Sequence, residues 1–246
     1  MNTLGYAFSK VFGPTDSVAN TKTTVGSTYV IRPGQYCVHK LHVAKGNVVN
    51  AKECAGVIEV EITGVDGTYE YAYGNGTGGA TNGGPGLAAE EIECRIPAPG
   101  GATITVSVTD AEVATAVVVS LDFYTGGERV DSYSTGGAGK DPAAATELEV
   151  GTVTVTKAGH IKQIRYACGQ LVDAKSCSGK LVVEVPGVSG PFEFAVGNGC
   201  SGATLGGAAH ADVIDVDIPV GQNVIVTFKV TYTDAMDSAT VSIAVQ

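Results

Sequence analysis

The chain has 246 residues and a formal net charge of −10, and its few Lys and Arg residues are not clustered. Such a surface repels a phosphate backbone, so the composition excludes direct nucleic-acid binding. No apolar run reaches the roughly 18 residues of a membrane span. The N-terminal sequence also lacks the apolar core of a secretory signal. We therefore expect the protein to be made in the cytoplasm.

Residues 1–26 are predicted to form an N-terminal arm, which is either a frayed terminus or a segment that docks on a neighbour or a surface. Beyond this arm the chain repeats itself. Residues 41–88 align without a gap on residues 164–211, a shift of 123 positions, and 23 of the 48 aligned residues are identical. A repeat of this length indicates a duplicated structural unit.

Segments that alternate apolar and polar residues run through both copies, separated by Gly, Pro and Asn. The first copy has eight candidate strands: Thr28–Arg32, Cys37–Ala44, Asn47–Ala51, Val57–Ile62, Tyr69–Tyr73, Ile92–Ile96, Ile104–Val108 and Val117–Phe123. The second copy follows the same scheme from Leu148. Because each strand buries one face and exposes the other, the pattern predicts an all-β fold of two tandem eight-stranded antiparallel β-sandwiches.

These patterns give a first division of the chain into domains. Residues 27–125 are predicted to form the first sandwich and residues 147–246 the second. Residues 126–146 are rich in Gly, Ser and Ala and show no periodicity, so they are predicted to be a linker.

Two glycine-rich loops raise the question of nucleotide binding. GNGTGG begins at Gly74 and GNGCSG begins at Gly197, each after a predicted strand. The dinucleotide fingerprint works only where the last glycine opens a helix, whose N-terminus holds the pyrophosphate. The sequences that follow are too rich in glycine to form one, so no nucleotide and no other cofactor is predicted. Each loop is interpreted as structural, as a contact for a neighbouring subunit or ligand, or as both.

Asn75, at the tip of the first loop, begins an Asn-Gly-Thr glycosylation sequon. Asn-Gly is also a common turn dipeptide, and we favour the turn. Of the six cysteines only Cys54 and Cys177 coincide in the repeat. A structural disulfide framework should recur in both copies, so buried free thiols are predicted instead.

The remaining polar residues do not form a recognisable catalytic or metal-binding motif. His39 and His42 lie three apart on a predicted strand and are expected to face opposite ways, which argues against a metal pair; their counterparts are Lys162 and Arg165. Carboxylates occur at alternate positions, as in Glu91 and Glu93, where they are expected to solvate an exposed sheet face. No catalytic residue, no metal site and no enzymatic activity is predicted.

Eight short antiparallel strands in each of two tandem copies form a pattern that resembles the double jelly-roll major capsid proteins of tailless icosahedral viruses of bacteria and archaea. The resemblance implies a homotrimer with a pseudo-hexameric outline, which packs against neighbouring capsomers and other capsid proteins in the virion. It also implies that the arm, residues 1–26, contacts an internal membrane.

A different class of protein would show the same duplication. A secreted or cell-surface β-sandwich protein, such as a carbohydrate-binding protein, an adhesin or a filament subunit, is the alternative. A processed N-terminus, a glycan at Asn75 or saturable glycan binding would favour it.

Overall fold

A computed structural model describes residues 5–30, 34–47, 55–67, 69–74, 89–111, 113–125, 130–137, 140–170, 178–197 and 211–246. The regular secondary structure of these residues consists of sixteen β-strands. Among the described residues, no helix is long and apolar enough to cross a membrane.

The first eight strands build one sandwich. They are β1 (Gly5–Thr15), β2 (Thr23–Tyr29), β3 (Gln35–Asn47), β4 (Ala55–Ile62), β5 (Glu70–Gly74), β6 (Glu90–Pro99), β7 (Thr103–Asp110) and β8 (Ala114–Thr125). Sheet A has the strand order β1-β8-β3-β6, and sheet B has the order β2-β7-β4-β5. All the pairings are antiparallel. Two four-stranded sheets joined in this order form a jelly roll.

The other eight strands build a second sandwich with the same wiring. They are β9 (Asp131–Gly137), β10 (Leu148–Val155), β11 (Gly159–Gln170), β12 (Gly179–Glu184), β13 (Phe192–Val196), β14 (Asp212–Val220), β15 (Val224–Tyr232) and β16 (Met236–Val245). Sheet C has the order β14-β11-β16-β9, and sheet D has the order β10-β15-β12-β13. If β9 is counted as a first strand, these are the orders of sheets A and B again, so the fold is a double jelly roll.

Each sandwich encloses its own apolar core. The first core draws on both sheets A and B, and the second on both sheets C and D. The predicted inward rows are confirmed, since Ile58, Val60 and Ile62 are buried on β4, and Ile92 and Ile96 on β6. Alternation of this kind is what one buried face per strand requires. The predicted all-β fold of two antiparallel sandwiches is therefore confirmed.

The predicted arm and the predicted linker each contain a strand that sequence periodicity missed. Residues 5–15, within the predicted arm, form β1 and pair with β8. Residues 131–137, within the predicted linker, form β9 and pair with β16. Both segments were missed because their alternation is weak: Lys10 interrupts the inward row of Phe8 and Phe12 on β1, and the sequence of β9, DSYSTGG, is small and polar except for Tyr133. Residues 5–15 of the arm that was expected to contact a membrane are therefore paired with β8 in sheet A.

Two further expectations about β3 are corrected. Asn47–Ala51 was predicted to be a separate strand, but Asn47 ends β3, and residues 48–51 lie outside the described residues. A β-bulge interrupts β3 between Val38 and Lys40. The extra residue shifts the alternation by one position, so His39 and His42 lie on the same outer face of sheet A.

Candidate functional site

A network of polar contacts joins the two sandwiches. Strand β5 is the outer strand of sheet B, and it packs against β9, β11 and β16 on the outer face of sheet C. A parallel β-bridge joins Tyr69 of the first sandwich to Ser132 of the second. The edge of one sandwich therefore meets the face of the other.

A buried ion pair joins the two sandwiches. The Arg165 guanidinium on β11 donates from Nη2 to Glu90 Oε1 on β6 and from Nε to the carbonyl of Ala72, at 3.1 Å. Glu90 also accepts the Gly74 N–H at Oε2 (2.9 Å), and both charged side chains are buried. Burial lowers the pKa of Arg165, and the neighbouring Glu90 partly offsets that shift. Because removing one partner would strand a buried charge, this pair fixes how the sandwiches fit together.

Serine side chains on sheet C complete the contact. Ser242 on β16 accepts a hydrogen bond from the backbone N–H of Ala72, at 2.9 Å. Ser134 on β9 donates its hydroxyl to Glu70 on β5 at 2.6 Å, and its N–H donates to the same carboxylate. The edge of β5 that faces away from β4 therefore has hydrogen-bond partners on sheet C for its backbone and for the Glu70 carboxylate, as an edge strand requires.

The composition of sheet C explains why β5 can approach so closely. Beneath β5 the outer face carries small side chains: Ser132, Ala167, Thr240 and Ser242 are all buried. Small residues let a second backbone come near, whereas long side chains would hold it away. This is also why β9 gave such a weak strand signal in the sequence, since a covered face does not need charged residues.

A cleft of about 150 Å³ opens beside this contact. Glu93 of the first sandwich and Asp215 of the second both line it. Both carboxylates are exposed, and Gln163 donates to Asp215 at 3.3 Å. A carboxyl acting as a general acid is typically held in a desolvated site. These two lie in contact with solvent beside Arg95 and Lys162, so the cleft does not offer that environment.

Because the two sandwiches are repeats, each residue of the contact has an equivalent residue in the other sandwich. On β3, Leu41 pairs with Leu121 and Ile92, and on β11, Ile164 pairs with Ile243 and Ile214. Counting residues along the paired strands from these matched positions gives four pairs of equivalent residues. They are His42 and Arg165, Ser120 and Ser242, Glu90 and Asp212, and Ala72 and Ala195.

The face of sheet A that corresponds to the covered face of sheet C is open. Val11, which occupies the position of Ser134, is 68% exposed, and Tyr6 is exposed at the other end of β1. His42 lies at the middle of this face, with Nε2 3.3 Å from Asp122 Oδ2 and Nδ1 3.9 Å from Glu91 Oε2. We call this surface, made of the outward residues of β1, β3, β6 and β8, the open face.

The edge of the second sandwich that corresponds to β5 is also open. Glu193 and Ala195 on β13 are exposed, whereas their counterparts Glu70 and Ala72 are covered. Asp212 accepts the Gly197 N–H at 2.9 Å, as Glu90 accepts that of Gly74. We call this surface, made of β13 together with Asp212 at the start of β14, the open edge.

Several residues considered in the sequence lie elsewhere. Asn75 and the glycine loops beyond Gly74 and Gly197, together with Cys54, Cys177 and Cys200, are outside the described residues. The side chains of Cys37, Cys94 and Cys168 are buried, and none of the three is in a disulfide. Within the described residues, no group of His, Cys, Asp and Glu has the arrangement of a metal site.

The sequence did not single out Glu90 and Arg165 as partners. The available signal was weak: both copies place an acidic residue directly after the glycine loop, Glu90 in one and Asp212 in the other. Arg165 also aligns with another basic residue, His42. Only the packing of the sandwiches reveals that the acid and the base meet.

No family model and no curated protein matches the sequence. Among solved structures, the chain is similar to the crystal structure of the STIV MCP, with a TM-score of 0.47, 9% identity, and coverage of 99% of this chain and 96% of that one. It is similar to PNGF-II, with a TM-score of 0.37, 11% identity, and coverage of 99% and 65%. It is also similar to the VP2 subviral particle of infectious bursal disease virus, with a TM-score of 0.33, 10% identity, and coverage of 100% and 73%. Because all three TM-scores lie below 0.5, the jelly-roll assignment rests on the strand orders of the four sheets.

Proposed function

We propose that this protein is a major capsid protein, which assembles as a homotrimer of pseudo-hexameric outline and tiles the shell of an icosahedral virion. The observation that carries the proposal is the contact between the sandwiches, in which an edge meets a face. Each chain uses this contact once internally and leaves an open edge and an open face. A second copy can supply the missing half of each.

The residues at the two open surfaces support this pairing. If the open edge of one copy docks as β5 does, the Ala195 N–H reaches Ser120, as the Ala72 N–H reaches Ser242. Asp212 then approaches His42, as Glu90 approaches Arg165. Both pairs place an acid on the edge and a base on the face, so their charges are complementary.

Apolar residues at the open face provide a driving force. Val11 and Tyr6 are exposed there. Burying such side chains removes apolar area from water, which favours association.

The contact is heterologous, because the two surfaces that meet are different. Contacts of this kind generate a closed ring when the rotation closes and a helical filament when it does not. Six sandwiches in a ring correspond to three chains, which is the trimer we propose. A trimer presents similar surfaces to its surroundings six times, and this suits it to packing against neighbouring capsomers.

A filament subunit, at a cell surface or outside the cell, is the second candidate. It relies on the same open edge and open face and differs only in whether the ring closes. Images of the assembled protein therefore distinguish the two candidates directly.

Val11→Asp tests the proposal, because it places a charge in the middle of the predicted interface. Ile225→Asp is the matched control, since Ile225 is 53% exposed on a strand of sheet D, away from both open surfaces. Oligomeric mass is measured by light scattering during gel filtration, and particle shape by negative-stain electron microscopy.

We expect the unmodified protein and Ile225→Asp to form trimers with a six-lobed outline, and Val11→Asp to remain monomeric. Filaments that Val11→Asp abolishes would replace the coat-protein proposal with the filament subunit. An unmodified protein that stays monomeric at high concentration, or a Val11→Asp variant that still forms trimers, would contradict the proposed interface.

A further inference from the structure

The open face and the covered face differ in the chemistry of their basic residues. On the covered face of sheet C, β11 carries Lys162 and Arg165. On the open face of sheet A, the corresponding residues of β3 are His39 and His42. The β-bulges match as well, because β3 is interrupted between Val38 and Lys40 and β11 between Ile161 and Gln163. The outer face of sheet C therefore carries permanent cations, of which Arg165 makes the contact within the chain, whereas the open face offers two imidazoles.

The surroundings of His42 make its charge important. In the chain itself it faces Asp122 on β8 and Glu91 on β6, and on its own strand Lys40 binds Glu91 at 2.5 Å. The corresponding neighbours of Arg165 are Ala244 and Val213, which carry no charge. His42 thus has more carboxylates around it than its counterpart has.

His39 lies beside this group. Its ring stacks edge-on against Tyr124, with the ring centres 5.0 Å apart, and its Nδ1 lies 3.3 Å from the carbonyl of Cys94. Its counterpart Lys162 lines the cleft at the rim of the covered contact. We therefore expect His39 to lie at the rim of the contact between chains and His42 to lie near its centre.

Docking of the open edge would bring Asp212 of a neighbouring copy to His42, with Glu193 of the same edge nearby. Three carboxylates, Asp122, Glu91 and Asp212, would then surround one imidazole that water no longer reaches. Lys40 compensates Glu91, but burying Asp122 and Asp212 without a further cation is costly. A protonated imidazole supplies that cation and a neutral one does not, and imidazole changes its charge between about pH 5 and 8.

We propose that His42, with His39 at the rim, makes the contact between chains depend on pH, so that trimers are stable in mild acid and loosen as the pH rises, while the contact within each chain stays closed. This inference rests on the proposed trimer. The sign follows from the charges: the stabilisation is present while the imidazole is protonated and is lost once it is neutral. The protein would in this way assemble reversibly from chains that keep their two sandwiches locked together.

The experiment measures the monomer–trimer equilibrium of the full chain by sedimentation between about pH 5.5 and 8.5. We expect the protein concentration at half-assembly to rise by about tenfold or more across this range, since a change of one unit in the pKa of a group corresponds to a tenfold change in its binding equilibrium. His42→Arg, and His39→Lys combined with His42→Arg, restore the permanent cations of the covered face. They should assemble with little dependence on pH.

His42→Gln removes the charge and should assemble weakly at every pH. His160→Gln is the control: His160 binds Asp217 at 2.7 Å at the far end of sheet C and should leave the pH dependence unchanged. An unmodified trimer whose stability does not change across this range would overturn the switch but leave the trimer intact. A pH dependence that disappears with His160→Gln and survives His42→Arg would also overturn it. If neither the unmodified chain nor His42→Arg forms a trimer at any pH, the proposed function itself fails.

Discussion

The two jelly rolls have the same wiring, but they differ in how they treat equivalent polar positions. In the first, Lys45 and Asp110 form a buried ion pair at 2.6 Å, to which Tyr73 and Ser17 donate further hydrogen bonds at 2.5 and 2.7 Å. In the second, Cys168 and Tyr232 take the places of Lys45 and Asp110.

The comparison shows that the fold does not require a polar cluster at this position. The strand order and the apolar rows are shared by both sandwiches, whereas the ion pair belongs to one alone. Once present, however, the charges depend on each other, because a buried charge is tolerated only when it is paired. The first sandwich should therefore be far more sensitive than the second to mutation at this position.

The largest effect is expected from Asp110→Ala. It leaves the Lys45 ammonium, which lies 4.7 Å from the centre of the Tyr73 ring, without its carboxylate in a buried site. We expect the free energy of unfolding of the first sandwich to fall by about 3–5 kcal/mol. Burial also raises the pKa of Tyr73 well above its ordinary value, so its phenol stays protonated and loses its acceptor.

Denaturant unfolding measures this loss. Asp217→Ala is the control, because Asp217 binds Lys162 at the solvent-exposed surface and its removal should leave the unfolding midpoint almost unchanged. Equal effects of the two substitutions would mean that the buried cluster contributes no more than a surface pair.

The next largest effect is expected from Arg165→Met, which breaks the ion pair between the sandwiches. Glu90 then remains buried, but it keeps the hydrogen bond from the Gly74 N–H, so we expect a loss of about 3 kcal/mol. The two sandwiches should also unfold in more separate steps, which calorimetry would detect. Lys162→Met, on the same strand but at the exposed rim, is the matched control. A single cooperative transition in Arg165→Met, at an unchanged temperature, would contradict the role of this pair.

Two equivalent glycines allow a comparison between the first strands of the two sandwiches. Gly13 on β1 and Gly136 on β9 both have positive φ, and a Cβ added to them would lie 2.3 Å from the Val117 carbonyl and 2.2 Å from the Ala239 carbonyl. Replacing either by Ala should cost about 1–3 kcal/mol, because both the backbone angle and the space exclude a side chain.

Gly64→Ala separates the two causes, since Gly64 has φ +77 but nothing within 4 Å of an added Cβ. It should cost less than Gly13→Ala and Gly136→Ala in a thermal unfolding measurement. A similar loss for all three variants would show that the backbone angle alone sets the cost.

These glycines also show what the sequence could reveal. Gly13 and Gly136 are separated by the same 123 positions as the ungapped repeat, and VGSTYV from Val25 resembles VGTVTV from Val150 at a shift of 125. The repeat therefore extends into β1, β2, β9 and β10, with a slip of two residues. Alternation found the strands whose inward rows are fully apolar, but β1 and β9 required this fainter signal.

The contact between the sandwiches was beyond the reach of local pattern. Arg165 and Glu90 are 75 residues apart, and nothing in either strand indicates which outer face will be covered. His39 and His42 were predicted to face opposite ways, which is wrong, because one bulge residue in β3 shifts the alternation and puts both on the outer face. Periodicity predicts which residues of a strand share a face, but only the packing decides which outer faces meet.

The smallest effect is expected at an exposed cluster of the first sandwich. Lys22 binds Glu61 at 2.6 Å and Glu59 at 2.9 Å on the outer face of sheet B. The hydrogen bond from Lys22 lowers the pKa of Glu61, so this stabilisation is full near neutral pH and is lost as the pH falls through the lowered pKa. Burial raises the pKa of Glu59, which makes its share smaller.

Lys22→Ala should therefore reduce the free energy of unfolding by about 0.5 kcal/mol near pH 7, and by less at about pH 3 or in about 1 M salt. Unfolding curves of the two proteins under these three conditions check the prediction. A loss that persists in acid and in salt would mean that Lys22 acts through the packing of its aliphatic chain. Lys45, which is buried away from water, would then stabilise the protein through its charge. Lys22, whose charge is screened by water, would stabilise it only through the packing of its side chain.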